Sequence, residues 1–251
     1  MLDDKFEYLL RLGDNVLVLS QRLTEWVGKG PALEEDMALA NTALDLMGQA
    51  RLWLGYAGEV ESAGRGEDQL AFGRDAHQFR NVLLVERPNG SYADTLMRQY
   101  LFDSWHLPLL EQLTRSSDEQ IAGIAEKARK EVGYHLRRSS DLVVRLGDGS
   151  DESHRRMQRA LDDLWMYTGE MFTTDSVDEV LQAQGVAASV ADLRAPWLAQ
   201  LGRTLGAATL RMPDPAAWMQ KGGKQGRHSE QMGFLLAEMQ FLQRAYPGQQ
   251  W

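Results

Sequence analysis

A chain of 251 residues with 43 percent hydrophobic content is long enough for one large core or two modest ones. It has no cysteine, which excludes disulfides, thiolate metal sites and cysteine nucleophiles and suits a reducing cytoplasm. A formal charge of −9 opposes non-specific binding to nucleic acid, but it leaves room for a local basic patch that takes an anionic ligand. The acidic start, MLDDKFEYLL, has no apolar run of signal-peptide type, and no stretch reaches the length that spans a bilayer.

The first predicted helix runs from about Lys5 to Val27. Leu9, Leu12, Val16, Leu19, Leu23 and Trp26 recur at spacings of three and four and make one apolar face. Gly28-Lys29-Gly30-Pro31 ends it. The second runs from about Glu34 to Ala57, with Leu39, Ala43, Leu46, Ala50 and Trp53 as its stripe. The short loop between them predicts antiparallel neighbours.

Residues 58–92 are less regular. Gly58, Gly64, Gly66 and Gly73 break the pattern, and a short apolar helix is expected around Gln78 to Val85. Pro88-Asn89-Gly90 is a turn signal. A third long helix is expected from Tyr92 to Leu113, with Asp94 near its start as a cap. Ser117-Asp118-Glu119-Gln120 reads as a capping box with Ser at the cap, opening a fourth helix that runs to Leu146. Gly147-Asp148-Gly149-Ser150 stops it. Further helices are expected at Glu152–Phe172, Val177–Gln184, Leu193–Leu205 and Ser229–Ala245. There is no strand run of period two, no solenoid repeat and no linker that splits the chain. The expectation is one all-α domain over residues 1–251.

Carboxylate-bridged di-iron bundles need a Glu from each of two helices and a Glu-x-x-His pair from each of the other two. The i, i+3 spacing sets both side chains of a pair on one helix face. Five segments of this chain carry a family resemblance by their order and spacing. They are Leu44–Arg51, Asn81–Glu86, Lys130–Arg137, Arg145–Gly149 and Leu236–Gln240. Together they resemble the C-subunit family of the bacterial phenylacetyl-CoA 1,2-epoxidase, and the resemblance runs from the first helix to Trp251. It implies a ferritin-like helical bundle with additional C-terminal helices. It also implies a homologous di-iron A subunit that does the chemistry, with this chain as its non-catalytic partner.

The catalytic sister's motifs then fall on this chain residue by residue. Where the sister has Asp-Glu-x-Gly-His, this chain has Asp45-Leu46-Met47-Gly48-Gln49, so the Glu position is Leu46 and the His position is Gln49. Where the sister has Lys-Glu-Glu-x-x-His, this chain has Lys130-Glu131-Val132-Gly133-Tyr134-His135. The second Glu becomes Val132, and the His survives as His135. Asp103 stands where the sister keeps a carboxylate, and the remaining ligand position falls at Val16. The resemblance therefore implies a degenerate di-iron site at Val16, Leu46, Gln49, Asp103, Val132 and His135, with no metal and no catalytic residue in this chain. Periodicity agrees. Val16 and Leu46 lie in the apolar stripes of their helices, and Val132 joins Leu136 and Val143 on one side of the fourth. Apolar side chains at inward positions let such a cavity close as core.

Other polar residues carry weaker readings. Asp103 and His106 have metal-pair spacing, but without a second such pair of inward carboxylates they read as a helix-surface Asp with a nearby His. His135 reads as a hydrogen-bonded core histidine partnered by Asp103. Glu131 reads as a surface or salt-bridge residue. Arg74 to Asn81 concentrates cations and reads by charge as a solvated face. The resemblance instead points to Gln78, Phe79, Arg80 and Asn81 as substrate-binding residues that touch the CoA of phenylacetyl-CoA, whose phosphates suit Arg. Lys221 to His228 is a second cationic loop before a helix. It reads as a loop ordered at a contact between subunits, with phosphate binding at the helix N-terminus as the alternative. Some of the seven tryptophans and eleven methionines are expected at an interface.

The resemblance also implies the assembly: the di-iron A subunit, a small B subunit, a reductase with flavin and an iron–sulfur cluster, and phenylacetyl-CoA as substrate, with neither nucleic acid nor membrane as partner. The rival expectation is a di-iron oxidase or monooxygenase carrying its own metal on Asp103, His135 and Glu131.

Overall fold

The computed structural model describes residues 2–249; Met1, Gln250 and Trp251, the end of the resemblance, lie outside them. Among the described residues there are ten α-helices and no strand, as the periodicity requires. The chain forms two compact units, residues 1–88 with 222–251, and residues 89–221.

The first unit is built on the hairpin of α1 (Leu2–Thr24) and α2 (Leu33–Glu61). The turn between them is held by Asp36, whose carboxylate accepts from the backbone of Gly28 and Gly30 at 3.2 Å each. A Cβ at Gly30 would stand 2.7 Å from that of Asp36, so glycine is needed where the turn closes. α1 is buried from Tyr8 to Ser20, polar residues included. Those polar groups hold chain rather than water. Asp14 accepts from Arg74, Asn15 accepts from the Val82 amide at 2.8 Å, and Ser20 donates to the Ala43 carbonyl at 2.8 Å.

α2 continues through Gly58 to Glu61, beyond the expected end at Ala57. Gly58 is not a breaker. Its missing Cβ admits the Arg65 carbonyl, which would stand 2.1 Å from a Cβ there, as the chain turns back into the short helix α3 (Glu67–Phe72). The expected helix at Gln78–Val85 is absent. A single 3-10 turn, Ala76–Gln78, leads into an irregular segment whose residues Phe79 and Val82 to Val85 are all buried. An apolar run buried on every side has no helical period to keep; the Val82 amide is taken by Asn15 of α1 at 2.8 Å and the Val85 amide by the Val82 carbonyl at 3.3 Å. Residues 230–245 form two helices, α9 and α10, rather than one (the ranges are Glu230–Met239 and Phe241–Ala245). The break falls at Gln240, whose buried amide donates to the carbonyls of Ala71 and Arg74 at 3.0 Å each.

The second unit is built on the hairpin of α4 (Tyr92–Leu113) and α5 (Glu119–Gly147), joined by α6 (Asp151–Trp165), α7 (Ser176–Ala183) and α8 (Arg194–Ala207). Ser91, not Asp94, caps α4; Asp94 sits three residues on and accepts from the Ser91 amide and hydroxyl at 2.7 Å each. Asp118, not Ser117, caps α5 by accepting from the amides of Gln120 and Ile121. Ser117 is engaged elsewhere, donating to the Gln184 carbonyl at 3.0 Å. α6 stops at Trp165, short of the expected Phe172, and a 3-10 turn, Gly169–Phe172, follows. The aromatic core of this unit stacks Trp165 on Trp197 at 5.7 Å, and the Trp197 indole donates to Ser104 at 2.8 Å.

Candidate functional site

All six positions to which the resemblance assigns ligands are buried. In the first unit, Val16 on α1 and Leu46 on α2 have no exposed surface, and Gln49 is 1 percent exposed. Leu46 and Gln49 are three residues apart on the buried side of α2, where a Glu-x-x-His pair would sit. A hydrocarbon and a neutral amide take those places. Neither balances the charge of an iron.

In the second unit, Asp103 on α4 and Val132 on α5 have no exposed surface, and His135 is 6 percent exposed. Both carboxylate oxygens of Asp103 are engaged. Oδ1 accepts from the Gln99 amide at 2.7 Å, and Oδ2 accepts from the Ser139 hydroxyl at 3.0 Å. Burial lifts the Asp103 pKa to about 6. It outweighs the nearby charge of His135 and the two donors, all of which favour the ionised carboxylate. The pairing expected between Asp103 and His135 is therefore electrostatic, while Gln99 and Ser139 make the direct hydrogen bonds. Neither donor drew attention in the sequence, although Gln99 stands one helical turn before Asp103.

His106 is also buried, so the surface reading of the Asp103–His106 pair is wrong. Its ring packs against Phe102 at 4.9 Å and Trp105 at 6.3 Å. Burial, together with the charge of His135, pushes its pKa down to about 3, so the imidazole is neutral. Asp103, His106 and His135 thus form a buried polar cluster between α4 and α5. Among the described residues no three His, Asp or Glu side chains gather as a metal-ligand set. A di-iron centre needs four carboxylates and two imidazoles. The register positions supply one carboxylate, Asp103, and one imidazole, His135, so the residues present do not fit the group. Glu131 is half-buried on α5, beside the buried Val132.

The segment expected to face CoA is mostly turned inward. Phe79 and Asn81 have no exposed surface. Asn81 donates to the Glu86 carboxylate at 3.2 Å, and Gln78 accepts from the Asp75 amide at 2.8 Å. Arg80 reaches the surface in part, with its guanidinium 2.7 Å from Glu7. Arg74 is not part of a solvated face. It is 2 percent exposed, grips both oxygens of Asp14 and lies over the Phe79 ring at 4.2 Å.

The cationic loop before α9 is ordered by the chain's own acid. Glu86, fully buried, accepts from the Ser229 amide at the start of α9 at 2.7 Å and meets His228 Nδ1 at 2.7 Å. The anion at this helix N-terminus is thus a side chain of the protein. Sequence reading missed Glu86, whose one signal is an acid closing the apolar run Val82 to Val85. The other His228 nitrogen, Nε2, faces the Phe79 carbonyl at 3.0 Å. Burial lowers the His228 pKa, but Glu86 and the Phe79 carbonyl outweigh it and raise it above the ordinary value. Gly226, at φ 73°, lets the loop close on the His77 carbonyl, which would stand 2.1 Å from a Cβ.

The pattern of a family described as phenylacetic acid catabolic protein matches residues 2–251. The C subunit of the 1,2-phenylacetyl-CoA epoxidase of Escherichia coli (strain K12) is 53 percent identical over 245 residues, covering 97 percent of this chain and 98 percent of that protein. Among the described residues no helix is long and apolar enough to cross a membrane. The chain therefore belongs to the phenylacetic acid catabolic protein family and has its all-α, ferritin-like fold.

Proposed function

We propose that this chain is a non-catalytic structural subunit of a phenylacetyl-CoA epoxidase assembly in aerobic phenylacetate breakdown. The observation that carries the reading is the filling of the ligand register. Val16, Leu46 and Val132, at the three positions where the resemblance puts carboxylates, are fully buried hydrocarbon. A buried Leu contributes roughly 1.5–3 kcal/mol that a lone buried carboxylate would not. Such a bundle keeps its shape without metal. Its work is to support a homologous di-iron subunit, which uses O₂ and reducing equivalents to epoxidise the aromatic ring. The small B subunit, the reductase and a cytoplasmic location belong to the same reading, which the likeness to the C subunit of the Escherichia coli epoxidase supports.

Contact with the CoA moiety rests on Arg80 and Gln78, the two members of the segment that reach the surface. Phe79 and Asn81 set the shape of that segment from inside.

The second reading, an oxidase with its own metal on Asp103, His135 and Glu131, has the burial of Asp103 and His135 on α4 and α5 to draw on, although among the described residues no three such side chains gather as a ligand set. Metal analysis of the purified chain separates the two. Folded protein without iron, which joins the catalytic subunit and supports its turnover, is the expected result. Stoichiometric iron with an oxo-bridged absorption band would sink the structural reading.

A further inference from the structure

Asn89 and Gly90 open the second unit, just before α4, and the fold fixes both. Gly90 has φ 55°, a conformation that L side chains avoid. A Cβ there would also stand 2.6 Å from the Asp94 carboxylate, which accepts from the Ser91 amide and hydroxyl. Asn89 is half-buried and its side-chain oxygen is anchored. Oδ1 accepts from the Arg98 guanidinium at 2.7 Å and lies 3.3 Å from the Thr95 hydroxyl. Thr95 and Arg98 stand three residues apart on one face of α4, and neither has exposed surface.

An Asn followed by Gly is chemically labile. The next backbone nitrogen reaches the side-chain carbonyl carbon, and glycine has no side chain to block it. The other asparagines of the chain lack this opening. Asn15, Asn41 and Asn81 precede Val16, Thr42 and Val82, all β-branched. Asn15 and Asn81 are buried, and Asn41 lies within α2. Gly90 is exposed, so water reaches the Asn89–Gly90 pair.

The donor on Oδ1 stands where charge develops. When the Gly90 nitrogen attacks Cγ of Asn89, negative charge gathers on Oδ1, and the guanidinium is already there, held by the helix. The N–Cγ bond forms, the Cγ–Nδ2 bond breaks, and ammonia leaves with the proton of the Gly90 amide. The product is a five-membered cyclic imide. Water then opens it at one of two carbonyls. Attack at Cγ breaks the new N–Cγ bond, returns a proton to the Gly90 nitrogen and leaves an ordinary aspartate. Attack at the backbone carbonyl leaves isoaspartate, the product that an unconstrained chain favours. Thr95 has one proton to share between the Asn89 backbone carbonyl, at 2.9 Å, and Oδ1. The charged donor is the stronger of the two, and it lies on the side-chain oxygen.

We propose that Asn89–Gly90 is a self-modifying site. It deamidates in the folded chain through an imide that Arg98 steers toward aspartate, and the new carboxylate pairs with the Arg98 guanidinium. The net change adds one water and releases one ammonia, with no enzyme and no oxidant.

The test holds the full chain at mildly alkaline pH, once native and once unfolded in urea. Peptides are followed by mass spectrometry that separates aspartate from isoaspartate. The expected result is conversion at Asn89 in both samples, with Asn41 unchanged in the native one. Aspartate should dominate in the native sample and isoaspartate in the unfolded one, a shift of several-fold in their ratio. No conversion of native chain over the time in which unfolded chain converts would overturn the proposal. The same product ratio in both samples would also overturn it, because the fold would then steer nothing. Asn89→Asp installs the product directly. Its thermal midpoint at neutral pH should stand at or above that of wild type, since a charged acceptor replaces a neutral one. A lower midpoint would overturn the pairing with Arg98.

Discussion

His228 sits between two acceptors: its Nδ1 faces a Glu86 carboxylate oxygen at 2.7 Å, and its Nε2 faces the Phe79 carbonyl at 3.0 Å. A neutral imidazole carries one N–H and could serve only one of them, so the geometry calls for the imidazolium. The Glu86 backbone carbonyl accepts in turn from the Arg22 guanidinium at 2.9 Å and 3.1 Å. Asp14 adds a more distant negative charge. This node ties the start of α9 to the irregular segment and to α1.

The folded-state pKa of His228 lies above its unfolded value of about 6.5. Its contribution to stability is therefore complete below that unfolded value and fades as pH rises through the folded one. Thermal midpoints of wild type and His228→Ala should differ most at pH 6 and converge as the solution becomes alkaline. At pH 6 the variant should lose about 3–5 kcal/mol, because Glu86 is left buried without its partner. A gap that is constant across this range would contradict the charged assignment.

Asp103 behaves with the opposite consequence for mutation. Burial holds its carboxyl at about 6, above the ordinary value of 3.8. Wild-type stability should then fall as pH rises from about 4 through 6, by on the order of 3 kcal/mol. Asn does not titrate and keeps an oxygen acceptor in place. The midpoint of Asp103→Asn should gain on that of wild type across this window and level off above it. Parallel curves would mean that the carboxyl is not perturbed.

Arg74 and Asp14 form a bidentate pair with 2 percent and no side-chain exposure. Arg74→Met and Asp14→Ala should each cost roughly 3–5 kcal/mol by stranding a buried charge. Arg74→Lys should also be costly, because an ammonium cannot reproduce the planar fork or its stacking over Phe79. Urea denaturation measures all three. A loss of less than about 1 kcal/mol in each, the scale of an exposed pair, would show that the pair is open to water.

His135→Ala should lower stability by about 1–3 kcal/mol, the usual consequence of removing a buried polar residue from its network. Turnover per folded complex should stay near wild type. Abolished turnover with assembly and stability intact would give His135 a chemical role.

Arg80→Ala tests the CoA contact. Its ion pair with Glu7 is partly exposed, so the stability change should stay within about 1 kcal/mol. Affinity of the assembled complex for phenylacetyl-CoA should fall several-fold. Unchanged affinity would remove this segment from the ligand path.

α1, α2 and α5 were legible because each carries an apolar stripe at helical spacing, and α4, buried without a break from Thr95 to His106, was legible from the turn signals at its ends. Val16, Leu46 and Val132 were legible as core for the same reason: a hydrocarbon at an inward position has only packing to do. The irregular segment after α3 was misread. Phe79 and Val82 to Val85 look like a short helix, yet around them the backbone of Arg80, Val82 and Glu86 is held by Asp14, Asn15 and Arg22, residues distant in sequence.

Local order in this chain determined helix type and helix stripes, because those depend on residue identity at short fixed spacings. Which polar groups meet was decided only by the tertiary structure. Glu86 and His228 are separated by 142 residues, Asp14 and Arg74 by 60, and no local pattern marks either pair. A buried charge persists only where the fold brings it a partner, so it is the fold that turned surface-looking cations into the bolts of the first unit.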